Sequence, residues 1–115
     1  KYDTGDYFKI DPMFGGDEAF EELLAACREL KIKIILDGVF NHTGADSKYF
    51  NKFGQYDSLG AYQSKKSPYY DWYYFNDYPD DYEGWWGDLN LPRLNTEKEE
   101  VQKFFYGRQD SVVPY

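Results

Sequence analysis

Apolar positions recur with two different periods in the first third of the chain. Between Asp17 and Leu30, the residues Phe20, Leu23, Leu24, Cys27 and Leu30 return at helical spacing, which predicts a helix with one apolar face and Asp17 as its N-cap. Cys27 lies on that stripe and reads as a small buried hydrophobe. The next run, Lys31-Ile32-Lys33-Ile34-Ile35-Leu36, is short, β-branched and increasingly apolar, so it predicts a strand entering a parallel sheet. Helix followed by strand is half of a barrel repeat.

From Gly38 to about Asn95 no simple period holds, and a connection of that length inside a compact fold usually carries function. Beyond it, Thr96-Glu97-Lys98-Glu99 reads as a capping box: the Thr96 hydroxyl would meet the Glu99 amide, and the Glu99 carboxylate would answer the Thr96 amide. A second helix is expected there, with Val101, Phe104 and Phe105 on its apolar face and Gly107 as its stop.

The apolar strand ends on Asp37, Asn41 and His42, the last being the chain's one histidine. Ligands collect at the C-terminal ends of parallel strands, so these three are candidates for an active-site rim. The same residues could also form a turn, with Asp37 and Asn41 bonding nearby backbone amides.

The stretch Asp37-Gly38-Val39-Phe40-Asn41-His42 resembles the first signature region of the α-amylase superfamily, glycoside hydrolase family 13. The resemblance extends upstream through Tyr2-Asp3-Thr4-Gly5-Asp6-Tyr7-Phe8-Lys9-Ile10-Asp11-Pro12-Met13-Phe14-Gly15-Gly16, which looks like the approach to the third barrel strand. Downstream, Leu91-Pro92-Arg93-Leu94-Asn95 is similar to the Met-Pro-Lys-Leu-Asn signature of the neopullulanase, cyclomaltodextrinase and maltogenic-amylase group, with Leu for Met and Arg for Lys. The fold this implies is α/β: a fragment of a (β/α)8 TIM barrel. Residues 1–37 would be a barrel segment with helix and third strand, 38–95 a domain B-like insertion, and 96–115 a further barrel helix segment.

A complete barrel needs about 250 residues, and this chain has 115, so it reads as an internal fragment of a larger enzyme. The resemblance implies retaining chemistry at α-glycosidic bonds of maltooligosaccharides, cyclodextrins or pullulan, which calls for a nucleophile and an acid about 5 Å apart. In the family both carboxylates come from later strands, so none in this chain takes those roles. Asp37 instead matches a residue that supports the active-site network. His42 matches one that bonds the reacting sugar, and Tyr2 one that stacks on it. Asn41 matches a ligand of structural calcium in many relatives, an arrangement from which the neopullulanase group often departs. Members of that group often dimerise, which implies a homodimeric parent in addition to the rest of the barrel as partner.

The net charge of -8 argues against a nucleic-acid partner, whose phosphates would be repelled, and no apolar run is long enough to span a membrane. The single cysteine suits a reducing, cytoplasmic compartment. Aromatic residues make up 22% of the chain and concentrate with carboxylates between Tyr69 and Gly87. Such a mixture fits an α-glucan oligosaccharide, because pyranose faces pack on rings while hydroxyls bond carboxylates and amides. Any single ring reads first as part of the core of a small insertion, while the patch as a whole should turn at least one ring to substrate, with Trp85 and Trp86 the first candidates. Asp77, Asp80, Asp81 and Glu83 suggest either a calcium loop or a solvated acidic loop. Two rivals remain at this point: a non-catalytic glucan-binding module, and an oligo-1,6-glucosidase or glucanotransferase of the same superfamily.

Overall fold

The computed structural model describes residues 2–114, which separate into two units: Asp6–Gly38, and residues 2–5 with 39–114. The smaller unit opens with a 3-10 turn at Pro12–Phe14, where the Asp11 carboxylate accepts from the Met13 amide at 2.9 Å. Helix α1 (Gly16–Glu29) follows. Its N-cap is Gly15 in the left-handed region (φ 101°), not Asp17, which sits inside the first turn. There Asp17 accepts from the Ile10 amide at 2.8 Å and so ties the preceding loop to the helix start. Asp17 and Glu18 in the first turn and Arg28 in the last complement the helix dipole.

The C-terminus of α1 closes on its own backbone. Ile32 N–H donates to Cys27 O at 2.8 Å and Lys31 N–H to Arg28 O at 3.2 Å, the bond pair of a Schellman motif, with Lys31 in the left-handed position (φ 57°) usually taken by glycine.

Two expectations fail in this unit. Cys27 is only half-buried and Leu23 and Leu30 are exposed, because the apolar stripe forms but the unit supplies no second layer to cover it. Lys31–Leu36 forms no strand, and Ile35 is 94% exposed. A strand exists only through a neighbour that takes its amides and carbonyls, and none pairs with this run among the described residues.

The larger unit holds two antiparallel hairpins, β1 (Phe75–Asp77) with β2 (Asp81–Tyr82) and β3 (Gly84–Trp85) with β4 (Asp88–Pro92), then helix α2 (Glu99–Phe105). The β3–β4 turn is two residues, Trp86 and Gly87, both at positive φ (53° and 77°), as the right-handed twist of a tight hairpin requires. The ladder is irregular: Gly84 opposes Pro92 while Trp85 opposes Asp88. A Cβ at Gly84 would lie 2.0 Å from the Asp88 carbonyl oxygen, so only glycine permits this approach.

Aromatic rings build the core. Fully buried Phe50 meets Tyr62, Tyr73, Phe75 and Tyr82 at centroid distances of 4.7 to 5.8 Å. Beside it Tyr49 packs on Tyr69, Trp72 and Phe104. Helix α2 contributes Val101 and Phe105 from the face the sequence suggests, and Gly107 (φ 93°) follows its C-cap Tyr106. The expected capping box does not form. Asn95 accepts from the Glu97 amide at 3.2 Å, an Asx turn that closes before the threonine can act, and the helix starts three residues later with Lys98 as N-cap.

Buried Asn51 organises the loop after Phe50. Its amide donates to the Tyr56 and Ser58 carbonyls at 2.9 and 2.8 Å, its oxygen accepts from the Tyr56 amide at 3.2 Å, and its own φ is 52°.

Candidate functional site

Residues 41–45 run antiparallel to residues 90–94. Leu94 N–H donates to Asn41 O at 2.8 Å, Thr43 N–H to Pro92 O at 3.2 Å and Ala45 N–H to Asn90 O at 2.9 Å, with His42 opposite Arg93. The end of the first signature stretch, Asn41-His42, is therefore joined backbone to backbone to Arg93-Leu94 of the second. The Thr43 hydroxyl reinforces the seam from inside, 2.8 Å from the Tyr73 hydroxyl.

His42 is 5% exposed. Its Nε2 lies 2.8 Å from the Tyr2 carbonyl oxygen and its Nδ1 lies 3.3 Å from Nδ2 of Asn41. A carbonyl can only accept and an amide nitrogen can only donate, so Nε2 carries the proton and Nδ1 takes the Asn41 bond. The ring lies 5.7 Å from that of Trp85, which is 46% exposed. Trp86, at the tip of the β3–β4 turn, is 88% exposed, and its ring meets Trp85 edge to face at 5.9 Å. The hairpin thus places the half-exposed Trp85 beside the imidazole, with the exposed Trp86 against Trp85.

Tyr2 is 62% exposed and contributes its carbonyl to His42. Asp37 is exposed near the end of the Asp6–Gly38 unit, where its carboxylate makes no hydrogen bond among the described residues. Asn41 is exposed as well. Among the described residues no three of His, Cys, Asp and Glu gather as a cation would need.

The four acidic residues from Asp77 to Glu83 go separate ways. Asp80 accepts from the Tyr62 hydroxyl at 2.6 Å, a bond that holds the Tyr62 proton on to higher pH than usual. Glu83 pairs with Arg93 at 3.3 Å, while Asp77 and Asp81 face each other across β1 and β2. Sequence reasoning passed over Arg93 as a single residue. Its guanidinium stands 5.1 Å over the Tyr74 ring, and its amide donates to Glu83 O at 2.9 Å. No spacing rule would reveal this, because its partners lie ten and nineteen residues upstream, outside any strand or helix.

The chain matches the family model of the alpha amylase catalytic domain over residues 1–112. It is 55% identical over 102 residues to amylopullulanase from Thermoanaerobacterium thermosulfurigenes, a match covering 84% of this chain and 5% of that protein. To the intracellular maltogenic amylase of Bacillus subtilis it is 36% identical over 107 residues, covering 90% of this chain and 17% of that one. Among solved structures, the debranching enzyme of Nostoc punctiforme aligns with a TM-score of 0.76 at 35% identity, over 90% of this chain and 22% of that one. The type III pullulan hydrolase from Thermococcus kodakarensis aligns with a TM-score of 0.76 at 34% identity, over 90% and 18%. The chain spans less than a quarter of each of these relatives. It belongs to the α-amylase catalytic domain family of glycoside hydrolases, whose relatives here are α-glucan hydrolases.

Proposed function

We propose that this chain is the part of a retaining α-glucan hydrolase that frames the sugar pocket, while the nucleophile and the acid/base carboxylate come from other strands of the barrel. The observation that carries this reading is the placement of His42. It is buried, fixed as the Nε2–H tautomer, and set 5.7 Å from the half-exposed ring of Trp85, which the exposed Trp86 meets in turn. Pyranose rings would lie on the indoles, and a sugar hydroxyl would share or take over the Nε2–H now given to the Tyr2 carbonyl.

That exchange replaces one neutral hydrogen bond by another and so changes ground-state binding little. A contact that tightens as the reacting ring flattens toward the oxocarbenium-like state would instead raise turnover. Tyr2 would stack on the same sugar, and Asp37 would support the network from the barrel side. Asn41 would be one ligand of a structural calcium ion, and no step of this mechanism depends on it. The names of the relatives, amylopullulanase and pullulan hydrolase, favour pullulan among the candidate substrates.

The test is His42→Ala in the complete parent enzyme. Turnover on a maltooligosaccharide should fall by about 100-fold, the scale of losing one transition-state donor. Stability should fall by no more than about 1–3 kcal/mol, the cost of one buried hydrogen-bond partner. Unchanged turnover would sink the assignment. The isolated 115-residue chain should release no reducing sugar. Tight maltooligosaccharide binding by it alone would favour the glucan-binding module that the exposed Trp86 also suits.

A further inference from the structure

A cleft of about 540 Å3 opens on the larger unit, and none of His42, Trp85, Trp86 and Tyr2 lines it. Its volume falls within the roughly 300–1,000 Å3 of small-molecule sites. One wall is a ring stack in which Tyr70 lies parallel to Phe75, 5.3 Å away with 5° between the planes. Charges border the cleft in opposed pairs: Lys98 lies 3.8 Å from Asp71, and Glu83 is matched by Arg93 at 3.3 Å. Neither sign is left over. An isolated phosphate or carboxylate would find no spare cation here, and an ammonium no spare carboxylate.

The groups with hydrogen-bonding capacity to spare are neutral. Among the described residues the Asn76 amide and the Tyr70 hydroxyl have no partner. Asn95 spends only its oxygen, which accepts from the Tyr74 hydroxyl at 3.0 Å and the Glu97 amide at 3.2 Å. Its Nδ2 is thereby oriented as a donor with nothing to meet. Neutral donors and acceptors lining one cleft together with the Tyr70 ring match a polyhydroxylated ring, whose apolar face packs while its hydroxyls bond.

We propose that this cleft is a second, accessory site for an α-glucan chain, separate from the His42 rim. It would hold a length of chain whose other part is being cut, adding affinity through effective concentration without touching the reacting bond. Only the identity of the ligand rests on the glucan reading above; the neutrality of the cleft and its unspent donors do not.

The experiment compares the complete parent enzyme with its Asn76→Ala and Tyr70→Ala variants, each first checked for an unshifted thermal transition. KM is measured on amylose and on the short chain maltotriose. The expected result is a rise of about three- to tenfold in the ratio of the amylose KM to the maltotriose KM, the worth of one neutral hydrogen bond or ring contact. An unchanged ratio in both variants overturns the proposal. So does an equal loss on both substrates, which would make the cleft part of the reaction site. If the wild-type enzyme cuts no α-glucan, the function proposed above fails, and binding of maltoheptaose is then followed by NMR titration. Binding lost in Asn76→Ala keeps the accessory site; binding equal in both proteins removes it.

Discussion

Residues 6–38 and residues 39–114 were built by different means. The first unit has a well-formed helix, dipole-matched charges and a Schellman closure, yet among the described residues none of it is buried. The second has short strands and only a seven-residue final helix, yet it encloses Phe50, Val101 and Leu94 almost completely. Local signals are enough to wind a helix but not to cover it, whereas large rings let a small insertion cover itself. The boundary falls between Gly38 and Val39, inside the signature from Asp37 to His42. Asp37 is thus carried by the unit that needs outside partners, and His42 by the unit that does not.

The sharpest way to break this contrast is to delete matched side chains. Phe50→Ala removes a ring in contact with four others and should cost about 3–5 kcal/mol, the range for a buried phenylalanine. Leu23→Ala, on the exposed stripe of α1, should change stability of the isolated chain by no more than about 0.5 kcal/mol. Urea unfolding of both variants decides it. Comparable losses would mean that the 6–38 unit has a core of its own.

Asn51 tests whether the aromatic unit depends on polar order as well. Asn51→Ala loses a buried amide that serves two carbonyls and one N–H, and it also forces alanine into a left-handed backbone, so a loss of about 2–4 kcal/mol is expected. Asn51→Gly relieves the backbone term only and should recover about 1 kcal/mol of that. If the two variants unfold at the same midpoint, the strain argument fails and the bonds alone matter.

Legibility in the sequence divides along the same line. Helix α1 and the apolar face of α2 could be read because Leu23, Leu24 and Cys27, or Val101 and Phe105, repeat at a fixed spacing. The Lys31–Leu36 strand was misread for this chain because its apolar run describes an environment that only neighbouring strands supply. Thr96 misled through competition, since Asn95 beside it closed a turn first. At the site, His42 and Trp85 could be picked out as residue types, but their proximity could not. It depends on the pairing of residues 41–45 with 90–94 and on a two-residue turn at Trp86-Gly87, where tryptophan takes a backbone conformation that its residue type does not advertise.

The smallest effect concerns what holds the uncovered unit together at its start. The Ile10 N–H bond to the Asp17 carboxylate, helped by the Lys9 ammonium at 3.5 Å, keeps Asp17 below its ordinary value of 3.8. A carboxyl whose folded value is depressed adds stability that is fully present above the unfolded value and disappears as pH falls through the folded one. The tie between Ile10 and the first turn of α1 should therefore persist at neutral pH and loosen only on the acid side of 3.8. The Ile10 amide nitrogen, followed by NMR, should titrate with a midpoint below 3.8, and the midpoint should rise toward that value in high salt because Asp17 and Lys9 are exposed. A midpoint at or above 3.8 in low salt would show that the bond is not formed in solution. The smaller unit would then lack even this local anchor, and its contrast with the aromatic unit would widen.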